Sequence, residues 1–233
     1  MPEEREQVFG TMFSPCNYGQ WFGLPDLRQY ISLRNTSRSQ FGIGGMPDDR
    51  VLMGHADFIF IDFVLLRRPW KSIVEFGTWT GLTSLYLGMA ARLRQIPFTT
   101  YDYKDFRLDE IKMAWLPAME FQEVNLLGGA EPAKEGEPIG KEALPDKIEP
   151  DADVVQRISR DGVLLLVDNG NKVVEANSYC PHLKAGSAFM IHDWGCEVLR
   201  SEIQEMLRDC GFVMEGEDVA EMLGSHLRYF VKG

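Results

Sequence analysis

The stretch Ile73-Val74-Glu75-Phe76-Gly77-Thr78-Trp79-Thr80-Gly81-Leu82-Thr83-Ser84 decides how this chain is read. A short apolar run, a turn with two glycines and a resumed helical pattern make a strand–turn–helix unit. Residues 72–76 predict a buried strand and residues 80–93 a helix. Gly77 and Gly81 let the backbone run where a side chain would obstruct, and the expectation is that a bound ligand lies there, so that any Cβ would strike it. The spacing is Glu-x-Gly-x-x-x-Gly. Dinucleotide sites use Gly-x-Gly-x-x-Gly instead, so the spacing speaks against an NAD-dependent oxidoreductase.

Working outward, residues 98–102 predict a second strand that ends on Asp102, about twenty residues beyond the turn, where Rossmann-like sites place an acid. A carboxylate there can accept both ribose hydroxyl protons of a nucleoside cofactor. Glu75 is positioned to hold a cofactor amino group, directly or through water. Thr78, Trp79, Thr83 and Ser84 complete the candidate contacts of the turn; Trp79 either covers the cofactor or packs beneath the turn. Of Tyr101 and Tyr103, which bracket Asp102, one is expected beside the cofactor base and the other against the sheet. Asn125, at the end of the third predicted strand, is a candidate hydrogen-bonding partner for the same base.

The remaining chain alternates strands (120–126, 162–168, 188–193, 212–215, 227–231) with helices (109–119, 152–159, 173–183, 198–209), and a further helix, 48–67, precedes the first strand. That alternation predicts an α/β fold: a Rossmann-like, seven-stranded, mainly parallel sheet with helices on both faces. Residues 1–60 are expected to form an N-terminal cap or lid, with turn-rich glycines at 42, 44 and 45, and residues 61–233 the cofactor-binding domain. Met206, Met214 and Met222 read as core filling.

Two more strands finish in acids, at Val167-Asp168-Asn169 and at Ile191-His192-Asp193. In an open parallel sheet ligands sit at the carboxyl ends of the strands, so these residues point to one crevice. Asp168, His192 and Asp193 can offer two hard oxygens and one nitrogen to a divalent cation, which would lower the pKa of a substrate hydroxyl. The plainer alternative has Asp168 capping the next helix and His192-Asp193 bonding to loop backbone. His55, in the helix before the first strand, is a candidate general base, with an ordinary polar helix residue as the alternative. His182 and His226 are expected at the surface.

The formal net charge is -11, and no Lys/Arg cluster interrupts it, so a phosphate backbone is an unfavourable partner. The longest apolar run, residues 58–66, is broken by Asp62 and is too short to span a bilayer. Four cysteines without metal spacing read as reduced thiols, and the expected location is the cytoplasm, with neither nucleic acid nor membrane as partner.

Together these segments resemble the class I S-adenosylmethionine-dependent O-methyltransferases, in particular the cephalosporin hydroxylase-like and macrocin O-methyltransferase-like group. The resemblance runs from about Trp21 to Val231. It rests on Trp21-Phe22-Gly23-Leu24-Pro25, on residues 75–84, and on the segment from Val167-Asp168-Asn169 through Lys184-Ala185-Gly186-Ser187 to His192-Asp193. It implies S-adenosylmethionine (SAM) as cofactor and methylation of a hydroxyl on a small molecule, sugar or natural product. It also implies a divalent metal, Mg²⁺, on Asp168 and Asp193, with His192 standing where the group often has an acid. Where that group often has a histidine three residues after the strand-end aspartate, this chain has Asn171. The alternatives are a non-catalytic SAM-binding protein with a degenerate metal site, an NAD-dependent oxidoreductase, and an interaction module that binds no small molecule. A homo-oligomer is compatible with each.

Residues 128–149, rich in Gly, Pro, Glu and Lys, have the composition of an exposed loop. Limited proteolysis is expected to cut there first, with cleavage slowed by cofactor plus substrate; cutting elsewhere while this stretch stays intact would mark it as a packed element.

Overall fold

Two strands at the centre organise the molecule. β1 (Ser72–Phe76) and β4 (Val163–Val167) lie side by side in parallel, in the register Ser72 to Val163 through Phe76 to Val167. Every residue of both is buried. That is the pattern of strands covered on both faces, and it explains the unbroken Val-Leu-Leu-Leu-Val of β4.

The computed structural model describes residues 53, 55–128 and 144–233. From β1 the sheet grows outward through β2 (Phe98–Asp102) and β3 (Met119–Glu123). From β4 it grows through β5 (Ala188–Ile191), β7 (Arg228–Lys232) and β6 (Phe212–Glu215). The order is β3-β2-β1-β4-β5-β7-β6, with only β7 antiparallel to its neighbours. This is the expected seven-stranded, mainly parallel, Rossmann-like sheet.

Side chains alternate across the strands and separate two cores. Leu164 and Leu166 join Ile73 against α1 (His55–Arg67), α2 (Leu82–Leu93), α3 (Asp109–Ala114) and α7 (Glu217–Leu223). Leu165 and Val167 join Val74 and Phe76 against α4 (Ala152–Ile158), α5 (Lys172–Tyr179) and α6 (Arg200–Asp209). Phe189 stacks on Phe230 with ring centroids 4.9 Å apart, tying the parallel part of the sheet to β7.

Several expectations change. α1 runs without a break through residue 60, and Phe58, Phe60 and Ile61 belong to the core, so the boundary placed at 60 falls inside an element of the domain. The expected third strand is shifted toward its start. The expected helix over 173–183 gives way at Tyr179 to a 3-10 turn, Cys180–His182, because Pro181 cannot supply the next backbone donor. Met222 is exposed on α7, whereas Met206 is buried. The cap, including Trp21 to Pro25 and the glycines at 42–45, and residues 129–143 lie outside the described residues. No helix among the described residues is long and apolar enough to cross a membrane.

The β1 turn is locked to the end of β4. Asp168 N donates to Phe76 O at 2.9 Å, and Gly77 N donates to Tyr101 O at 2.9 Å. Gly77 adopts φ +93°, and a Cβ built there would lie 2.4 Å from Asp168 O and 2.8 Å from Asn169 N. The obstruction expected from a ligand therefore comes from the protein's own backbone. Gly77→Ala is predicted to destabilise the fold by about 2 kcal/mol or more, through the positive φ and the collision together. Urea denaturation checks it, and an unchanged midpoint would contradict this account of the turn.

Candidate functional site

The strand order reverses between β1 and β4, so the crevice of this sheet opens where their carboxyl ends diverge. On the β1–β2 side the turn after Phe76 is shaped by three left-handed residues, Gly77, Trp79 (φ 46°) and Gly81 (φ 87°). A non-glycine residue in that region is uncommon and needs external support. Asp102 supplies it. Its Oδ2 accepts from Trp79 N and its Oδ1 from Tyr103 N, both at 2.8 Å. Burial raises the Asp102 pKa, opposed by the backbone N–H groups of Trp79, Tyr103, Lys104 and Thr78.

Glu75 is fully buried one residue before the end of β1. Ser84 Oγ, from α2, donates to its Oε2, while its Oε1 has no hydrogen-bond partner. Burial pushes the Glu75 carboxyl up to about 8, against the Ser84 hydroxyl bond. An orphaned buried acceptor of this kind suits a ligand that brings a donor, above all a cationic one. Thr78 is buried and hydrogen-bonded to Thr100 through their hydroxyls at 2.6 Å. Thr83 is half-buried on α2. A Cβ on Gly81 would lie 2.7 Å from Ile111 Cγ2, so this glycine, like Gly77, is required by packing.

Three aromatic rings line the same side. Phe106 lies 5.2 Å from Trp79 and 5.1 Å from Tyr103, centroid to centroid, whereas Tyr101 is buried edge-on against Phe76. Asn125 sits beyond the end of β3 and accepts from Leu127 N at 3.0 Å, so its amide oxygen is engaged by its own chain.

Across the crevice the acids after β4 and β5 converge as expected. His192 Nδ1 is 2.9 Å from Asp168 Oδ1 and 3.4 Å from Asp193 Oδ2. Ligand atoms of Asp168, His192 and Asp193 all fall within 4.8 Å of one another. Asp168 makes these contacts instead of capping α5, whose N-cap residue is Asn171.

Two residues that sequence reasoning missed complete the cluster. Asp57, buried on α1, places Oδ2 3.6 Å from His192 Nε2, while Ser225 Oγ and His226 N each donate to its Oδ1 at 2.8 Å. Lys172, the first residue of α5, lies among the acids with its side chain 6% exposed. Its Nζ is 2.9 Å from Asp193 Oδ2, 2.8 Å from Glu197 Oε2 and 3.7 Å from Asp168 Oδ1. Burial alone would lower the Lys172 pKa, but the charges of Asp168 and Asp193 raise it. His192 shows the same contest: burial lowers its pKa, and its contacts with Asp168, Asp193 and Asp57 raise it well above the ordinary value. His55 begins α1, and its side chain lies outside the described residues. His182 and His226 are exposed.

No known family model matches the chain, and no curated protein does. Solved structures similar to it include the SAH-bound Podospora anserina methyltransferase PaMTH1, 10% identical over 89% of this chain and 87% of that one, with a TM-score of 0.45. Cofactor-bound Rv0187 from MTB is 12% identical over 89% of each chain, with a TM-score of 0.46. A SAM dependent methyltransferase from Aquifex aeolicus is 13% identical over 89% of this chain and 97% of that one, with a TM-score of 0.41.

The buried carboxyl of Glu75 gives the fold a pH dependence with a definite sign. A carboxyl raised to about 8 in the folded chain keeps a proton that the unfolded chain releases near pH 4.5. Its contribution to stability therefore falls as pH rises between those values, and Glu175 and Asp62, each also raised to about 8 by burial, act in the same direction. Glu75→Gln keeps the shape and removes the titration. We expect it to melt roughly 5 °C above wild type at pH 8.5, with the difference closing by pH 5. Calorimetric melts across that range check this, and a gap independent of pH would contradict it.

Proposed function

We propose that the chain is a SAM-dependent methyltransferase that acts on a hydroxyl of a small molecule. The observation that carries this reading is Asp102, which ends β2 with both oxygens already anchored by the N–H groups of Trp79 and Tyr103, beside the orphaned Oε1 of Glu75. The residues present fit the cofactor. Asp102 would accept the ribose hydroxyls, Glu75 the methionyl ammonium, and Trp79, Tyr103 and Phe106 would flank the adenine. When bound, SAM supplies an electrophilic methyl group.

The chain's own residues would do the rest. Asp168, at the far side of the crevice, would accept the proton of the acceptor hydroxyl, and the cluster around it would hold its orientation. His192, pressed between Asp57 and Asp168 with its pKa raised, acts as a positioning residue. Most of the rate would come from placing oxygen and methyl in line within a site whose dipoles are already fixed. A cavity of about 100 Å³ opens beside Asn171, Lys172 and Glu197.

A second reading, a cofactor binder without catalysis, draws on the pairing of both central acids with buried cationic partners. Transfer of a labelled methyl group to any member of a hydroxyl-compound panel excludes it.

Calorimetry with SAM and with NAD tests the cofactor assignment. SAM is expected to bind and NAD is not, and Asp102→Ala is expected to weaken SAM by about 1.5–3 kcal/mol, the range for a hydrogen bond to a charged group. A folded Asp102→Ala chain with undiminished SAM affinity would overturn the placement. Failure of the wild-type protein to bind SAM would overturn the function itself.

A further inference from the structure

The group that this chain resembles implies a divalent ion on Asp168 and Asp193, and the arrangement of side chains disagrees with one. We infer that Lys172 is the resident cation of this site: its ammonium faces both Asp168 and Asp193, the two acids a metal would need, and the chain handles its acceptor without a metal.

The placement of Lys172 is costly unless its charge is needed there. A lysine normally extends its stem and leaves the ammonium in water. Here the side chain is 6% exposed and starts from the first residue of a helix, the end at which the helix dipole disfavours positive charge. It is held by three carboxylates, those of Asp193, Glu197 and Asp168, at 2.9, 2.8 and 3.7 Å. The ammonium is within hydrogen-bond distance of Asp193 and Glu197, and it faces Asp168 at ion-pair distance.

The nitrogen of the candidate metal set is also committed. An ionised carboxylate only accepts hydrogen bonds, so against one His192 Nδ1, 2.9 Å from Asp168 Oδ1, is the donor. A metal needs a lone pair at that atom. The other ring nitrogen, Nε2, faces Asp57 Oδ2 at 3.6 Å, on the opposite edge of the ring. Two carboxylates remain as ligands, and each already has a partner: Asp193 the ammonium at 2.9 Å, and Asp168 the His192 ring nitrogen at 2.9 Å. A divalent ion at the same point would stand against Lys172 Nζ and gain only ligands that Lys172 holds. The lysine keeps Asp168 and Asp193 from repelling each other, the service otherwise expected of a metal.

What this charge serves rests on the methyltransferase reading, but the ion preference itself does not. The test is a Mn²⁺ titration of the full chain, read by electron paramagnetic resonance, which reports bound against free ion without turnover. The wild-type chain is expected to show no stoichiometric binding up to millimolar ion, and EDTA dialysis to leave SAM affinity and any methyl transfer unchanged. Lys172→Met keeps much of the stem and removes the charge. It is expected to bind Mn²⁺ at least about tenfold more tightly than wild type, with the gain lost again when Asp193→Asn is added. Lys172→Arg, which restores a cation, is expected to exclude the ion. A lysine with a merely structural role would create no such ion site when replaced. Stoichiometric Mn²⁺ binding by the wild-type chain that disappears in Asp168→Asn overturns the inference. So does a folded Lys172→Met chain with no gain in affinity. Should Lys172→Met not fold, Lys172→Gln replaces it and the wild-type titration still decides. A chain that excludes Mn²⁺ yet binds no SAM would strike the proposed function and leave this inference standing.

Discussion

The parallel pairing of β1 with β4 is the constraint on which the rest depends. All ten of their residues are buried, so neither strand can slip in register without turning an apolar side chain out of one core and into the other. The sheet then grows in opposite directions from this pair, and the crevice at its carboxyl end follows from connectivity alone. Functional groups from β1, β2, β4 and β5 meet there because each strand ends at the same level. Glu75 and Asp102 arrive from one side, and Asp168, His192 and Asp193 from the other.

Carboxylates dominate that crevice, and the protein treats them in two ways. On the β1–β2 side Glu75 is buried with only the Ser84 and Thr100 hydroxyls to offset it, so desolvation wins and its carboxyl is raised to about 8. On the other side Asp193 has His192 and Lys172 as neighbours; burial pushes its pKa up, but these partners outweigh it and hold the carboxyl well below its usual range. One half of the site thus favours a protonated acid waiting for a cation, and the other an ionised acid already paired. The difference comes from partners, because both residues leave water to a substantial degree.

How far could this be read in the sequence? The strand–turn–helix at 72–93, the acid at Asp102 and the convergence of Asp168 with His192 and Asp193 were legible, because each rests on local periodicity plus a rule about strand ends. Lys172 was not, since a lysine at a helix start ordinarily lies in water and nothing local says that three acids close over it. Asp57 was hidden for a related reason: its contact with His192 is made across the fold, between α1 and the end of β5. Phe106 lay in a loop without periodicity. α7 is short and bounded by Gly216 and Gly224, both left-handed, with acids in its first turn and Met222 exposed, so its apolar stripe was too brief to read. The turn glycines were recognised as necessary, but the partner was misjudged. Sequence shows that a Cβ is unwelcome at a position and does not show what occupies the space.

The contact between Gly77 and the Asp168 carbonyl also bears on how such a protein can be redesigned. Main chain meets main chain there, with no side chain between to change rotamer and take up a displacement. The two halves of the crevice therefore share one frame whose width is set by backbone geometry. An engineer can alter what Lys172, Asp193 or Asn171 presents to a ligand, because those are side-chain choices at the start of α5 and after β5. The separation between the β1 turn and the acid cluster is not adjustable in that way. Ligands of different size would have to be accommodated from the outer wall inward, leaving the β1–β4 seam as a fixed gauge.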